Sequence, residues 1–283
     1  MDTQHPTPNQ LDGLVPSSDP EVAVVAGASV SDSRVEWFRA GDEVDSFVIR
    51  TNRFDLVVDT MSTPEMFARV VALAPLRPYL QTVVVTTHAD YDHYWGNSYL
   101  APSNHLWIAS EHARARIVEQ QAELDQMNLA TGGRFHSVVL GTPHVGISTA
   151  TVLDGGDLQI HLLPTPGHTP DHLAVHIPEL GVVLAGDAAE RPLPELWDAR
   201  SLPALRASLQ LLRDLDATIV IPSHGGTTDP EILTDNLEIL NEIERRVESG
   251  QSLEDLAGHP LPQKQPFFLH CLHRAVAAIQ EEN

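Results

Sequence analysis

Four side chains of the kinds that commonly bind metal ions lie within six residues of this chain. His88, Asp90, Asp92 and His93 directly follow Thr82–Thr86 (TVVVT), which has the composition of a fully buried strand. A turn at the end of such a strand can point the first two side chains one way and the last two another. Imidazole and carboxylate groups bind zinc and other borderline divalent ions. The segment therefore predicts part of a site for two metal ions.

Three further candidate ligands follow later apolar segments. His168, Asp187 and His224 each lie in a turn that contains Gly or Pro, directly after a segment with strand character. The chain has 15 histidines, and an isolated histidine is more often structural or solvated than a ligand. Four strand-end motifs in this order are not expected by chance, so we predict that they form one metal centre.

The elements that must position these residues follow from the apolar pattern. It predicts strands at Glu21–Ala26, Val35–Arg39, Ser46–Thr51, Asp55–Asp59, Thr82–Thr86, Leu106–Ala109, Leu158–Leu163, Leu173–Ile177, Gly181–Ala185 and Thr218–Pro222. It predicts helices at Ser62–Ala74, Glu111–Gln126, Leu202–Leu215, Asp229–Glu248 and Pro266–Gln280. Residues 127–150 show no clear period. The two similar halves predict two sheets stacked inside outer helices.

The domain prediction is a flexible leader over residues 1–18 and a single domain over residues 19–283 that ends in C-terminal helices. The leader has no basic region and no apolar core, so it does not resemble a secretory signal. No apolar run approaches the roughly 18 residues needed to span a bilayer. Cys271 is the single cysteine, which excludes an intramolecular disulfide framework. We therefore expect a cytoplasmic protein. The sequence is compatible with a homodimer.

Charge narrows the choice of partners. The chain has 39 acidic and 17 basic residues, which gives a net charge of −22, and Lys264 is its only lysine. Such a surface repels phosphate backbones, so we expect no nucleic-acid partner and no membrane partner. The same charge also suits a simple adaptation for solubility or salt. A small-molecule substrate is the partner that we predict.

The order HxxxDH, GH, GD and SHG resembles that of the metallo-β-lactamase-fold superfamily, over roughly residues 21–250. The resemblance implies an α/β (α+β) fold, a four-layer αββα sandwich with the metal site along one edge. It also implies the ligand roles. His88, Asp90 and His168 would hold the first metal, Asp92, His93 and His224 would hold the second, and Asp187 would bridge the two.

Asp90 departs from the family motif, which is HxHxDH where this chain has HxDxDH. A carboxylate is harder than imidazole and is anionic. It can still bind the first metal, and it extends the choice from two zinc ions to iron or manganese. The flavodiiron branch also has a carboxylate at this position, although its flavodoxin-like domain has no counterpart here. The alternative is a degraded first site with one metal at the second.

The resemblance implies a metal-dependent hydrolase in which a metal-bound hydroxide cleaves a small ester, thioester, lactone or related bond. Asp92 would be the catalytic residue that orients the attacking water or accepts its proton. A di-iron or mono-iron redox protein on the same scaffold is the alternative. A catalytically inactive metal-binding module is another, because Asp90 replaces a ligand.

Three residues near the ligands are candidates for substrate binding. Tyr91 and Trp95 lie beside the candidate ligands. They could line a substrate pocket, or they could pack in the hydrophobic core. His172 lies four residues after His168 and could contact either the metal ligands or the substrate.

Overall fold

The computed structural model describes residues 15–25, 30, 32–101, 103–253, 256 and 265–282. Their contacts divide the chain into two compact units. One contains the described residues of Met1–Ala26, Arg34–Arg50 and Phe54–Gly146. The other contains those of Gly27–Ser33, Thr51–Arg53 and Ile147–Asn283.

The first sheet has seven strands, which stand side by side in chain order. They are β1 (Val22–Val24), β2 (Val35–Ala40), β3 (Val44–Arg50), β4 (Phe54–Val58), β5 (Gln81–Val85), β6 (His105–Ser110) and β7 (Val145–Ile147). Neighbours pair antiparallel from β1 to β4, and β5 is parallel to both β4 and β6. Because β4 and β5 are parallel, the residues that follow them emerge at the same edge.

The helices of this unit follow strands β4, β5 and β6. They are α1 (Pro64–Leu73), the short α2 (Tyr91–Tyr94), α3 (Glu111–Glu119) and α4 (Gln121–Ala130), with a 3₁₀ turn over Trp95–Leu100. Helix α1 begins where the Thr63 hydroxyl accepts a hydrogen bond from the Met66 N–H, and Pro64 occupies its first turn. Its buried face, with Phe67, packs on strand residues such as Val57.

One predicted helix is two helices. The periodicity predicts a continuous helix over Glu111–Gln126, but α3 ends at Glu119 and α4 begins at Gln121. The break falls at Gln120, whose buried side chain accepts a hydrogen bond from the Tyr94 hydroxyl and donates one to the Ala89 carbonyl. These contacts lie outside the helix, so a pattern of apolar spacing does not contain them.

Asp19, the first residue after the predicted leader, is held by a partly buried ion pair. Arg134 donates from Nε to Asp19 (2.9 Å) and from Nη2 to Glu43 (2.7 Å). Asp19 also accepts a hydrogen bond from the Thr63 hydroxyl (2.7 Å). Burial raises the pKa of Glu43, and Arg134 opposes that rise. The domain boundary at residue 19 stays a prediction, and residues 1–14 lie outside the described residues.

The second sheet has five strands in the order β12, β11, β10, β9, β8. The strands are β8 (Thr151–Asp154), β9 (Gln159–Pro164), β10 (Leu173–Ile177), β11 (Val182–Gly186) and β12 (Ile219–Pro222). Strand β11 is parallel to β12 and antiparallel to β10, and β9 is antiparallel to β10. The ends of β9, β11 and β12 therefore lie at one edge of this sheet.

In the part of the second unit that the structure describes, three long helices are present. They are α5 (Leu202–Arg213), α6 (Glu231–Ser249) and α7 (Gln265–Glu282). Leu205 of α5 and Leu240 of α6 are fully buried, in one apolar cluster with Val183 and Val220 of the sheet. The predicted mixed α/β class, with two sheets and helices, is confirmed. Among the described residues, no helix combines the length and the apolar character needed to cross a lipid bilayer.

Candidate metal centre

The loop after β5 brings two imidazoles together. His88 lies in this loop and His93 lies on α2, where its N–H donates to the Asp90 carbonyl (3.1 Å). Both side chains are fully buried, and their ring centroids lie 3.9 Å apart. One strand, one loop and one helical turn thus place both histidines of the predicted motif side by side.

Asp59 and Thr87 fix the tautomers of these histidines. Asp59 follows β4, so the parallel pairing puts it beside the residues that follow β5. Its carboxylate accepts the Thr87 N–H (2.7 Å), the Thr87 hydroxyl (2.7 Å) and Nδ1–H of His93 (2.8 Å). Because the Thr87 hydroxyl donates to Asp59, its oxygen accepts Nδ1–H of His88 (3.1 Å). Both histidines therefore keep a lone pair on Nε2, as metal ligation requires.

Each of these Nε2 atoms lies beside a carboxylate. Asp90 Oδ2 is 3.3 Å from Nε2 of His88, and Asp92 Oδ1 is 3.8 Å from Nε2 of His93. Two ligands bound about 2.0–2.2 Å from one tetrahedral ion stand about 3.3–3.6 Å apart. The donor set in this unit therefore suits divalent metal ions, and the His88–Asp90 separation lies in the range expected for two ligands of one ion.

Asp187 in the second unit lies close to two imidazoles. Its Oδ2 is 3.2 Å from Nε2 of His224 and 3.6 Å from Nε2 of His168. Strands β11 and β12 are parallel, with Gly186 opposite Pro222, which places Asp187 and His224 at neighbouring strand ends. His168 Nδ1 contacts the Glu195 carbonyl (3.2 Å), which assigns the proton to Nδ1 and the lone pair to Nε2. Asp187 Oδ2 thus lies beside one nitrogen of each imidazole, and the bridging role of Asp187 stays a prediction.

His172 supports the backbone of Asp187. Its Nε2 accepts the Asp187 N–H (3.0 Å), so its Nδ1–H donates to the Thr165 hydroxyl (2.8 Å). The ring is buried and neutral in this arrangement. Of the two roles considered for His172, these contacts favour holding a metal ligand in place, and substrate binding stays a prediction.

The aromatic residues beside the motif pack together. Trp95 is buried against Phe135, with ring centroids 5.0 Å apart, and Tyr91 contacts both rings edge-on. Burial, with the nearby negative charge of Asp92, raises the pKa of Tyr91 well above its usual value. These contacts give both residues a packing role, and their part in a substrate pocket stays a prediction.

Asp90 has an ion-pair partner that the motif does not reveal. Arg116 of α3 donates from Nη2 to Asp90 Oδ1 (2.7 Å). Glu123 on α4 belongs to the same electrostatic cluster. Its pKa is raised to about 7, first by burial and then by the negative charge of Asp90, while Arg116 opposes the rise.

Sequence reasoning missed Asp59, Thr87 and Arg116. Asp59 carried a usable signal, because it ends an apolar strand as the metal ligands do. Thr87 is the neighbour of His88 and offered a hydroxyl in the same loop. Arg116 offered none, since an arginine on a polar helix is usually solvated.

A family model described as the Metallo-beta-lactamase superfamily matches residues 39–224, about two thirds of the chain. The chain belongs to this superfamily. It is a metal-dependent hydrolase of that class, and the resemblance inferred from the four motifs is confirmed. The match ends at His224, so it contains every predicted ligand.

Individual relatives agree with this placement. A hydroxyacylglutathione hydrolase from Mesorhizobium japonicum is 24% identical over 206 residues, which cover 66% of this chain and 72% of that protein. Among solved structures, a metallo-beta-lactamase family protein from Thermus thermophilus is 18% identical, with a TM-score of 0.64 over 84% of this chain and 89% of that one. The metallo-beta-lactamase FIM-1 of Pseudomonas aeruginosa, in a mono-zinc form, is 19% identical, with a TM-score of 0.59 over 80% and 97%.

Proposed function

We propose that this hydrolase cleaves a small ester, thioester or lactone at a centre of two divalent ions, with zinc as the first choice. His88, Asp90 and His168 would hold one ion, Asp92, His93 and His224 the other, and Asp187 both. The observation that carries the proposal is the fixed tautomer of His88, His93 and His168. In each of them Nδ1 faces an acceptor, which leaves Nε2 to ligate.

When bound, the ions supply Lewis acidity, which makes water acidic enough to react near neutral pH and polarises a carbonyl oxygen. Asp59 and Thr87 hold two imidazoles in the ligating tautomer, and His172 holds the backbone of Asp187. Asp92 orients the attacking water and accepts its proton. Its side chain is largely buried, which keeps bulk water from competing for the carboxylate.

Thioesters come first among the candidate bonds. The relative from Mesorhizobium japonicum is named for hydroxyacylglutathione, whose acyl group is joined to sulfur. The match covers 72% of that relative at 24% identity. This supports a shared reaction type more than a shared substrate. Simple esters and lactones undergo the same attack on a carbonyl carbon, so they belong in the same screen.

The test is metal analysis followed by a substrate screen. Protein loaded separately with zinc, manganese and anaerobic ferrous iron should retain about two ions per chain. It should hydrolyse at least one member of a panel of acyl thioesters, aryl esters and lactones. A chelator should abolish the activity, and the metal should restore it. His93→Ala and His224→Ala should lose metal, whereas His136→Ala, an exposed histidine, should not.

Two results would overturn the proposal. Less than about half an ion per chain in metal-replete protein would exclude the centre, because structural and catalytic ions bind tightly. Full metal loading without hydrolysis of any panel member would remove the proposed reaction. Oxygen consumption by the iron form alone would favour the redox alternative that Asp90 suggests.

A further inference from the structure

The residue at position 90 differs from the family in charge as well as in shape. Imidazole is a neutral ligand, whereas the Asp90 carboxylate brings a negative charge to the first metal position. The motif around it already contains Asp92. An additional anion changes the net charge of a metal site and the affinity for the ion. The surroundings of Asp90 therefore bear on how this variant motif works.

The two oxygens of Asp90 face different partners. Oδ1 accepts a hydrogen bond from Arg116 Nη2 at 2.7 Å, and Oδ2 lies 3.3 Å from Nε2 of His88. That second distance matches the separation of two ligands on one tetrahedral ion, about 3.3–3.6 Å. Nε2 is also the atom that His88 offers as a ligand. The guanidinium therefore contacts one oxygen while the other lies beside the expected metal position.

The helix end that carries Arg116 also holds the backbone of the ligand loop. Gln120, four residues further along, donates from its amide to the carbonyl of Ala89, the residue before Asp90. It also accepts a hydrogen bond from the hydroxyl of Tyr94, at the end of α2. Side chain and backbone at position 90 are thus fixed by the same segment of the chain.

The ion pair also compensates charge. Asp90 and Arg116 are both partly buried, with side chains 29% and 16% exposed, so solvent screens their attraction less than at an open surface. A carboxylate paired with a guanidinium has no net charge, which makes the pair comparable to a neutral imidazole. Arginine suits this task because it stays protonated at every working pH.

We propose that Arg116 is a positioning residue for the first metal site, and that the Asp90–Arg116 pair takes the place of the missing histidine. Arg116 holds Oδ1, turns Oδ2 toward the position beside His88, and neutralises the added charge. The inference rests on the proposed metal centre and adds to it a residue that no motif contains.

The test is a double-mutant cycle on zinc affinity. Metal-free protein is titrated with zinc against a chromophoric chelator in five forms: wild type, R116Q, R116K, D90H and D90H/R116Q. The control is R114Q, which removes an exposed arginine of the same helix that pairs with Glu111. Circular dichroism checks the fold of each variant, and the visible spectrum of the cobalt form reports the coordination of the ion.

We expect R116Q to weaken the first zinc site about 10–100-fold and to change the cobalt spectrum, as loss of an outer partner does at other metal sites. R116K should recover part of the affinity, because it restores the charge without the planar fork. R114Q should match wild type. In the D90H background the R116Q change should alter affinity less than about threefold, because the introduced imidazole needs no compensation.

Each outcome decides a different point. Wild-type protein that binds no zinc would refute the proposed function and this inference with it. Zinc-binding wild type with R116Q equal to R114Q would refute the inference alone. An equal loss from R116Q in the wild-type and D90H backgrounds would show that Arg116 supports the loop generally and has no special relation to Asp90. A misfolded R116Q leaves R116K to decide, since R116K affinity equal to wild type with an unchanged cobalt spectrum would also refute the role of the planar fork.

Discussion

Replacing Asp59 with asparagine should weaken zinc binding through a change of tautomer. Asp59 is buried and accepts three short hydrogen bonds, two from Thr87 and one from His93. Asparagine has nearly the same shape and tolerates the positive φ of 57° at this position. Its amide has one acceptor, which the Thr87 N–H occupies because a backbone donor cannot change its role. The amide NH₂ then faces Nδ1 of His93.

The consequence for His93 follows from proton positions. A donor opposite Nδ1 requires Nδ1 to accept, so the ring proton moves to Nε2 and removes the lone pair that would ligate. Loss of such an outer partner typically costs 10–100-fold in metal affinity, or about 1.4–2.8 kcal/mol. The variant should also lose about 1–3 kcal/mol of unfolding free energy, because hydrogen bonds to a buried charge are removed.

The assay compares zinc affinity with histidine tautomer. Chelator competition gives the affinity, and long-range proton–nitrogen NMR of the metal-free protein shows which nitrogen of His93 is protonated. Asp55→Asn is the matched control: Asp55 is buried on β4 and accepts hydrogen bonds from Arg77 (2.6 and 2.7 Å), away from the histidines. It should lose stability and keep its zinc affinity. Equal affinities of the two variants, with His93 still protonated on Nδ1 in Asp59→Asn, would refute the reasoning.

Three further predictions concern stability and partners. The pKa of Glu123 is about 7, so the stability conferred by its protonated form is lost as pH rises from about 4.5 through 7. In metal-free protein Glu123→Gln should therefore add about 1–2 kcal/mol above pH 7 and little at pH 4, measured by urea unfolding; equal gains at both pH values would contradict this. Gly96→Ala would put a methyl group 1.9 Å from the Thr60 carbonyl oxygen, so calorimetry should show a loss of about 2–4 kcal/mol, and an unchanged melting temperature would be inconsistent with the packing. With 39 acidic residues, the protein should not retain DNA or RNA at physiological salt, and a salt-sensitive submicromolar complex in a filter assay would refute that expectation.

Among the described residues, ten of the twelve strands could be predicted from local apolar patterns, and the candidate ligands follow four of them. The strand at Thr151–Asp154 was not predicted, and Val145–Ile147 lies in the segment 127–150 without a clear period, because both strands are short and partly exposed. The ligand roles stay predictions. An apolar run such as TVVVT indicates a buried strand. The histidines and aspartates that follow it indicate metal binding. Of the predicted strand at Glu21–Ala26, β1 spans Val22–Val24, and Ala26 lies outside the described residues. Its short apolar alternation does not reveal where the partner strand β2 ends.

The supporting contacts could not be predicted in the same way. Asp59 and Thr87 are 28 positions apart, and Asp90 and Arg116 are 26 apart. Each pair meets only because parallel strands or a connecting helix return the chain to the same edge. The spacing of apolar residues gives the period of an element and says little about which polar side chains meet between elements.

In both units, a hydrogen bond from Nδ1 fixes the tautomer of the histidines that are candidate metal ligands. Thr87 and Asp59 accept Nδ1–H in the first unit, and the Glu195 carbonyl does so in the second. An imidazole with its Nδ1 proton engaged by protein has only Nε2 left for a cation, so the tautomer is set before the metal arrives. A carboxylate such as Asp90 has no tautomer to fix, and its two equivalent oxygens need another means of choosing which one faces the ion. Arg116 meets that need by contacting one oxygen, and this is why the change from histidine to aspartate calls for a cation from a neighbouring helix.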